Sequence, residues 1–218
     1  MSHKILLVEG ENDQKFFRAL FKVLGLDVDV KVNTPKDHGA ERNGKMAAFA
    51  LLEELIKQLF DGSVTHLAMV IDADYSADSW GYSNTLKHIK KRMAHSNYND
   101  PIILHSGLSF PHSDGLNDFG LWIMPDNASE GMLEDWIATA VKSSESPLLQ
   151  HATEVVKNLP KPQKFKSIHT SKAKIATWMA WQKLPGEGLY YAIQNDLIDK
   201  ENKSAKQLIA WLKHIYTQ

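Results

Sequence analysis

After a polar start, the chain runs through Ile5, Leu6, Leu7 and Val8, an uninterrupted apolar stretch that reads as a buried strand. Gly10 breaks it. Phe16, Phe17, Leu20, Phe21 and Leu24 then recur at helical spacing, with Asn12 or Asp13 placed to cap the helix and Gly25 to end it. Val28, Val30 and Val32 alternate with polar residues, the period of a strand with one covered face. A polar loop over 34–44 leads to a long helix over 46–60, with Phe49, Leu52, Leu55, Ile56 and Leu59 on one face. A third strand is expected over 66–71, a loop over 76–83, and a helix over 85–94 whose basic face carries Lys87, Lys90, Lys91 and Arg92. A strand begins at 102–104, a polar segment fills 112–118, another strand covers 119–124 and a helix covers 132–141.

Strands alternating with helices, most strands being apolar throughout, predict an α/β fold: a mostly parallel sheet with helices on both faces. Beyond Lys142 the pattern turns helical, over 172–184, 189–198 and 205–215. In the last of these Ala205, Leu208, Ile209, Leu212 and Ile215 form one stripe behind Ser204 as cap. The stretch 157–167, with Pro160 and Pro162, reads as a linker. The expected organisation is an α/β domain over 1–142 and a helical C-terminal extension over 143–218 packed on it.

At 218 residues the chain is long enough to bury a substantial core, and 43% apolar with 23% charged residues is an ordinary globular composition. No apolar run approaches the ~20 residues of a membrane crossing, and the start lacks the pattern of a signal peptide, so the expected location is cytoplasmic. The absence of cysteine removes disulfides, thiolate zinc sites and a Cys nucleophile. The net charge of −1 conceals a split: 1–142 carries 14 Lys and Arg against 20 Asp and Glu, and 143–218 carries 11 against 6. Such a split suggests two working surfaces, or a basic tail packed beside an acidic body.

The candidate chemistry lies at strand ends. Leu6-Leu7-Val8 runs into Glu9-Gly10, Met69-Val70-Ile71 into Asp72-Ala73-Asp74, and Trp122-Ile123-Met124-Pro125 into Asp126. In a parallel sheet these ends share one edge, where ligands bind. Carboxylates gathered there repel one another, and a hard divalent cation with oxygen ligands removes the repulsion. Glu9, Asp72 and Asp74 are therefore the expected ligands of a hard divalent cation such as Mg²⁺. Alternate positions past a strand set Asp72 and Asp74 on one side, and Gly10 lets backbone approach a ligand closely. Asp13 and Asp126 fit helix caps as well as accessory site residues.

Val8-Glu9-Gly10 with Asp13, followed later by Asp72-Ala73-Asp74, resembles the Toprim domain of topoisomerases, primases and the overcoming-lysogenization-defect nucleases, over about residues 4–140. The segments Trp122 to Trp136 and Lys172 to Gly186 resemble a family of Toprim-like bacterial proteins without an established activity, and that likeness spans nearly the whole chain. The resemblance implies that Glu9 serves acid–base chemistry or metal binding and that Asp72 and Asp74 coordinate Mg²⁺ or Mn²⁺. It also implies a further acid completing a second metal position, for which Glu130, Glu134 and Asp135 are candidates; Glu134 is the choice among them, with an exposed helix carboxylate as the equally open alternative. The Tyr and zinc-finger apparatus of a topoisomerase or primase is missing, as is a P-loop.

Metal-assisted phosphodiester hydrolysis also needs groups that hold the anion. Lys45, Lys172 and Lys174, each near a helix start, are candidates, with exposed solubilising lysines as the alternative. The basic stretch Lys157, Lys161, Lys164, Lys166, Lys172 and Lys174 around Phe165 fits either single-stranded nucleic acid or a solvated connector. Trp178 and Trp181 read first as packing. The ten histidines form no paired metal spacing, and no dinucleotide or nucleophile-elbow fingerprint occurs. The expectation is a metal-dependent enzyme on DNA or RNA. The alternatives are a non-catalytic metal- or nucleotide-binding module, with the helical part as surface for a partner protein or a second copy, and a phosphatase of the haloacid-dehalogenase type. The last leaves Glu9-Gly10 unexplained and expects its motif on the first strand.

Overall fold

The computed structural model describes residues 3–33 and 44–217. The loop expected over 34–44 lies, apart from Gly44, outside the described residues. Six strands form one sheet: β1 (Lys4–Val8), β2 (Asp29–Val32), β3 (His66–Asp72), β4 (Ile102–Leu104), β5 (Gly107–Phe110) and β6 (Phe119–Met124). Their order is β2-β1-β3-β6-β5-β4. The first four are mutually parallel, and β5 and β4 add an antiparallel edge.

The continuous apolar runs arise because both sheet faces are covered. Leu6, Val8, Ala68, Val70, Trp122 and Met124 point into one core, and Ile5, Leu7, Leu67, Met69, Leu121 and Ile123 into the other. The second core is closed by α2 (Gly44–Phe60) and α3 (Tyr82–Met93). The first is closed by α1 (Glu11–Leu24), α4 (Leu133–Ala140), α6 (Thr170–Ala180), α7 (Tyr190–Gln194) and α8 (Lys203–Thr217), with α5 (Ser146–Lys157) adding Ala152.

The helices after Lys142 thus join α1 and α4 in one of the two layers. Tyr216 Oη donates to the Ile5 carbonyl at 2.7 Å and Trp211 Nε1 to the Leu108 carbonyl at 3.2 Å, locking α8 across the sheet. Gly107 and Gly120 sit beneath it, and a Cβ at either would press on Trp211 or Ile215.

Several local expectations change. The cap of α1 is Gly10, whose N–H is held by Asp13 Oδ2 at 2.9 Å, so Asp13 acts from the third helical position. Ser204 lies inside α8, and Asn202 Oδ1 takes the Ser204 N–H at 2.8 Å. β5 completes a hairpin with β4, although Ser109 interrupts its apolar run; Ser109 is buried and donates to Asp118 Oδ2 at 2.5 Å. Part of the expected linker is preceded by α5, which starts near Pro147. No helix among the described residues is long and apolar enough to cross a membrane.

Candidate carboxylate site at the sheet edge

β1 and β3 run in register, with Val8 opposite Val70, so Glu9 leaves the sheet at the level where β3 ends in Asp72. The turn through Gly10 then starts α1 and returns Asp13 to the same place. From the far side α4 supplies Glu134 and α6 supplies Lys172. Glu9, Gly10, Asp13, Asp72, Glu134 and Lys172 line one cavity of about 380 Å³. Gly44 completes its wall, its Cα facing Glu9 so closely that a Cβ would stand 3.4 Å from the Glu9 carbonyl oxygen. Carboxylates from three separate stretches of the chain therefore share one space: Glu9, Asp13 and the exposed Glu11 from the first, Asp72 from the second and Glu134 from the third.

Their electrostatics follow from that crowding. Burial, against the pull of Lys45 and Lys172 and with the repulsion of Asp74 and Asp13, pushes Glu9 up to about 7. Burial and the nearby Glu134 push Asp13 up to about 7 as well, despite its bond from Gly10. Asp72 is raised well above the usual carboxylate range by burial and by Asp13, Glu9, Glu134 and Asp74. Glu134 is raised by burial, with Lys172 opposing. Burial alone would lower Lys172, but Glu134, Asp72, Glu9 and Asp13 outweigh it and hold the ammonium above its usual value. Asp72 keeps one anchor, accepting the Leu133 N–H at 2.9 Å on Oδ1. Glu9 Oε2 is buried without a hydrogen-bond partner.

Asp74 is placed differently from Asp72. Its φ of 57° turns the chain off the strand, and its backbone pairs with Gly131, the N–H reaching the Gly131 carbonyl at 2.8 Å. Its carboxylate meets Lys45 Nζ at 2.5 Å. Lys45 is 1% exposed, also donates to the Asp72 carbonyl at 2.7 Å, and lies 4.7 Å over the Trp80 ring. The lysine expected to meet an incoming phosphate is instead an internal counter-ion, because its ammonium is held by the Asp74 carboxylate and the Asp72 carbonyl.

The remaining candidates separate. Lys174 lines a smaller neighbouring cavity with Glu134, Asp135 and Ser171. Asp126 accepts the N–H groups of Ala128 and Ser129 at 3.0 and 2.7 Å, the turn-forming role open to it from the start. Glu130 accepts the Ser76 N–H at 3.1 Å. Asp135 holds the Met132 N–H at 2.9 Å and Ser171 Oγ at 2.5 Å, tying α4 to α6 and so Glu134 to Lys172. That tie and the Gly44 wall were not foreseen. The signal for the first was present: Met132 to Asp135 repeats the spacing of Gly10 to Asp13, a helix start held from its third position.

Among the described residues no three Asp, Glu or His side chains stand in a ready-made coordinating group. The donor chemistry nonetheless fits a hard divalent ion. The five acids on the lining offer oxygen, Glu9 has an orphaned oxygen, and for Asp13 and Asp72 the repulsion of neighbouring acids is the largest influence after burial. Fold and site together define an α/β protein with a carboxylate cavity at the carboxyl edge of a parallel sheet. Residues 3–217 match a family described as protein of unknown function, DUF3226, and the chain belongs to that family. No curated protein and no solved structure matches it.

Proposed function

We propose that this protein is a Toprim-like, Mg²⁺- or Mn²⁺-dependent enzyme that hydrolyses phosphodiesters of DNA or RNA at the cavity between Glu9, Asp13, Asp72 and Glu134. The observation that carries this reading is the gathering of those four acids in one space, each raised by burial and by its neighbours, with Lys172 as the one lysine on the lining. Glu9, Asp72 and Glu134 would hold the ion, which would neutralise the carboxylates and withdraw electron density from a phosphate oxygen. Glu9, which burial pushes up to about 7 in the metal-free site, would give up its proton as the ion binds. Lys172 is positioned to hold a phosphate oxygen, and its raised affinity for the proton keeps it cationic. Asp13 keeps the Gly10 turn closed, and the Leu133 N–H fixes the Asp72 carboxylate.

The Lys45–Asp74 pair favours a second reading. One of the two expected aspartates is already neutralised by a buried lysine, which suits a module that binds metal or nucleotide without turnover. Incubation with single-stranded and duplex DNA and RNA in Mg²⁺ or Mn²⁺ separates the two. The enzyme reading expects metal-dependent cleavage that Asp72→Asn lowers by about 10²–10³-fold, the scale of losing a principal electrostatic group. Metal-induced thermal stabilisation with no cleavage of any substrate supports the binding module and overturns the enzyme.

A further inference from the structure

A second cavity, of about 750 Å³, lies between the carboxyl-terminal halves of α2 and α3. It shares no lining residue with the carboxylate cavity. Because α2 leads back to the start of β3, this groove faces the sheet edge opposite Asp72. Its walls carry Lys57, Lys91, Arg92, His88 and His95, with Glu53 as the one carboxylate on the lining. We propose that the α2–α3 groove is a separate binding site for a small phosphate ester bearing a planar ring.

Arg92 is built into the wall. Its guanidinium lies 4.4 Å from the Phe49 ring centre, and Nη1 donates to the His88 carbonyl at 3.0 Å. Nε is buried without a hydrogen bond; Glu53 Oε1 stands 3.4 Å away as an ion pair. A held guanidinium with an unmade N–H bond suits two oxygens of a phosphate group, since its fork is already oriented. Glu53 is half exposed and occupies the position that such an anion would take. Lys91 is exposed, and Lys57 has only a surface pair with Glu54 at 2.8 Å, an interaction of little strength.

The aromatic part of the site favours a ring on the ligand. Phe60 lines the groove with 47% of its surface exposed. The His88 ring lies parallel to Phe49, within 4°, and 5.2 Å from Trp80. Burial, then Arg92, Lys91, Lys87 and Lys45, hold His88 below its usual value, so at neutral pH it offers a neutral ring and a hydrogen bond. The size lies in the range of about 300–1,000 Å³ typical of small-molecule sites.

The test uses adenosine monophosphate as probe, in the presence of EDTA, followed through the histidine ring signals in NMR. The proposal expects saturable shifts at His88 and His95, and weaker binding of inorganic phosphate, which has no ring for Phe60. Lys91→Glu should weaken the probe by about tenfold, the scale of one charge-assisted hydrogen bond, and Glu53→Gln should tighten it. Both positions are exposed, so the fold tolerates the changes; circular dichroism confirms it. Asp72→Asn should leave probe affinity unchanged. Three results overturn the proposal: no shift at either ring, equal affinity in wild type, Lys91→Glu and Glu53→Gln, or loss of binding in Asp72→Asn, which would place the probe in the carboxylate cavity. Tighter binding of an oligonucleotide than of the monophosphate at the same ring signals would overturn the small-ligand assignment.

Discussion

Glu9 and Asp13 ionise near 4.5 and 3.8 when free of the fold but hold their protons up to about 7 within it. Across that interval the folded chain binds more protons than the unfolded chain, so the stability these two groups contribute is lost as pH rises from about 4 to about 7. Thermal melting in EDTA should show that decline, and Glu9→Gln should flatten it; a melting temperature that rises over the same interval would contradict the crowding of acids. Lys45 carries the opposite role. Removing one partner of a fully buried pair costs about 3–5 kcal/mol. Asp74 keeps 27% of its side chain exposed, so Lys45→Met should cost less than that, with chemical denaturation as the measure. A cost within error of zero would mean that the pair holds nothing. Asp72 and Asp74 illustrate what sequence pattern can and cannot convey. Their alternation past a strand end was legible, and so was the arrival of Glu9 beside Asp72. The left-handed turn at Asp74, which gives it to Lys45, depends on pairing with Gly131 and leaves no mark in local spacing.

At the level of elements, the parallel strands were readable because each is buried on both faces and so apolar without a break. β5 was not, since Ser109 is accommodated only by its bond to Asp118, a partner whose position pattern alone does not reveal. Nor was the Gly10 cap, which needs the reciprocal bond from Asp13 rather than a polar cap side chain. α8 stood out by its stripe, but its weight in the fold came from Trp211 and Tyr216, fully buried on the sheet with their polar atoms on the backbone carbonyls of Leu108 and Ile5. Replacing a buried Trp by Ala typically costs about 3–5 kcal/mol. Trp211→Ala should lower stability by that order in urea unfolding and free the space above Gly107. A change below about 1 kcal/mol would show that α8 is an appendage rather than a layer.

Across the whole molecule, the acidic and basic halves of the chain meet at one place. The α/β part delivers Glu9, Asp13, Asp72 and Glu134, and the helical part delivers Lys172 to the same cavity. The two parts also share a single apolar core, from Phe16 through Trp136 and Trp178 to Trp211. The charge split therefore describes a site assembled from both parts. On the other side of the sheet a contact series runs from Asp74 through Lys45, Trp80, His88 and Phe49 to Arg92, and its His88 and Arg92 line the α2–α3 groove.

The account depends on these separated acids sharing one cation. Titration of Mn²⁺ followed by electron paramagnetic resonance at pH 7.5 tests that most directly. A saturable site on the wild-type chain, weakened by about tenfold or more in both Glu9→Gln and Asp72→Asn, is the expected result. Mn²⁺ that stays free in solution, or binds the two variants as well as the wild type, would contradict it.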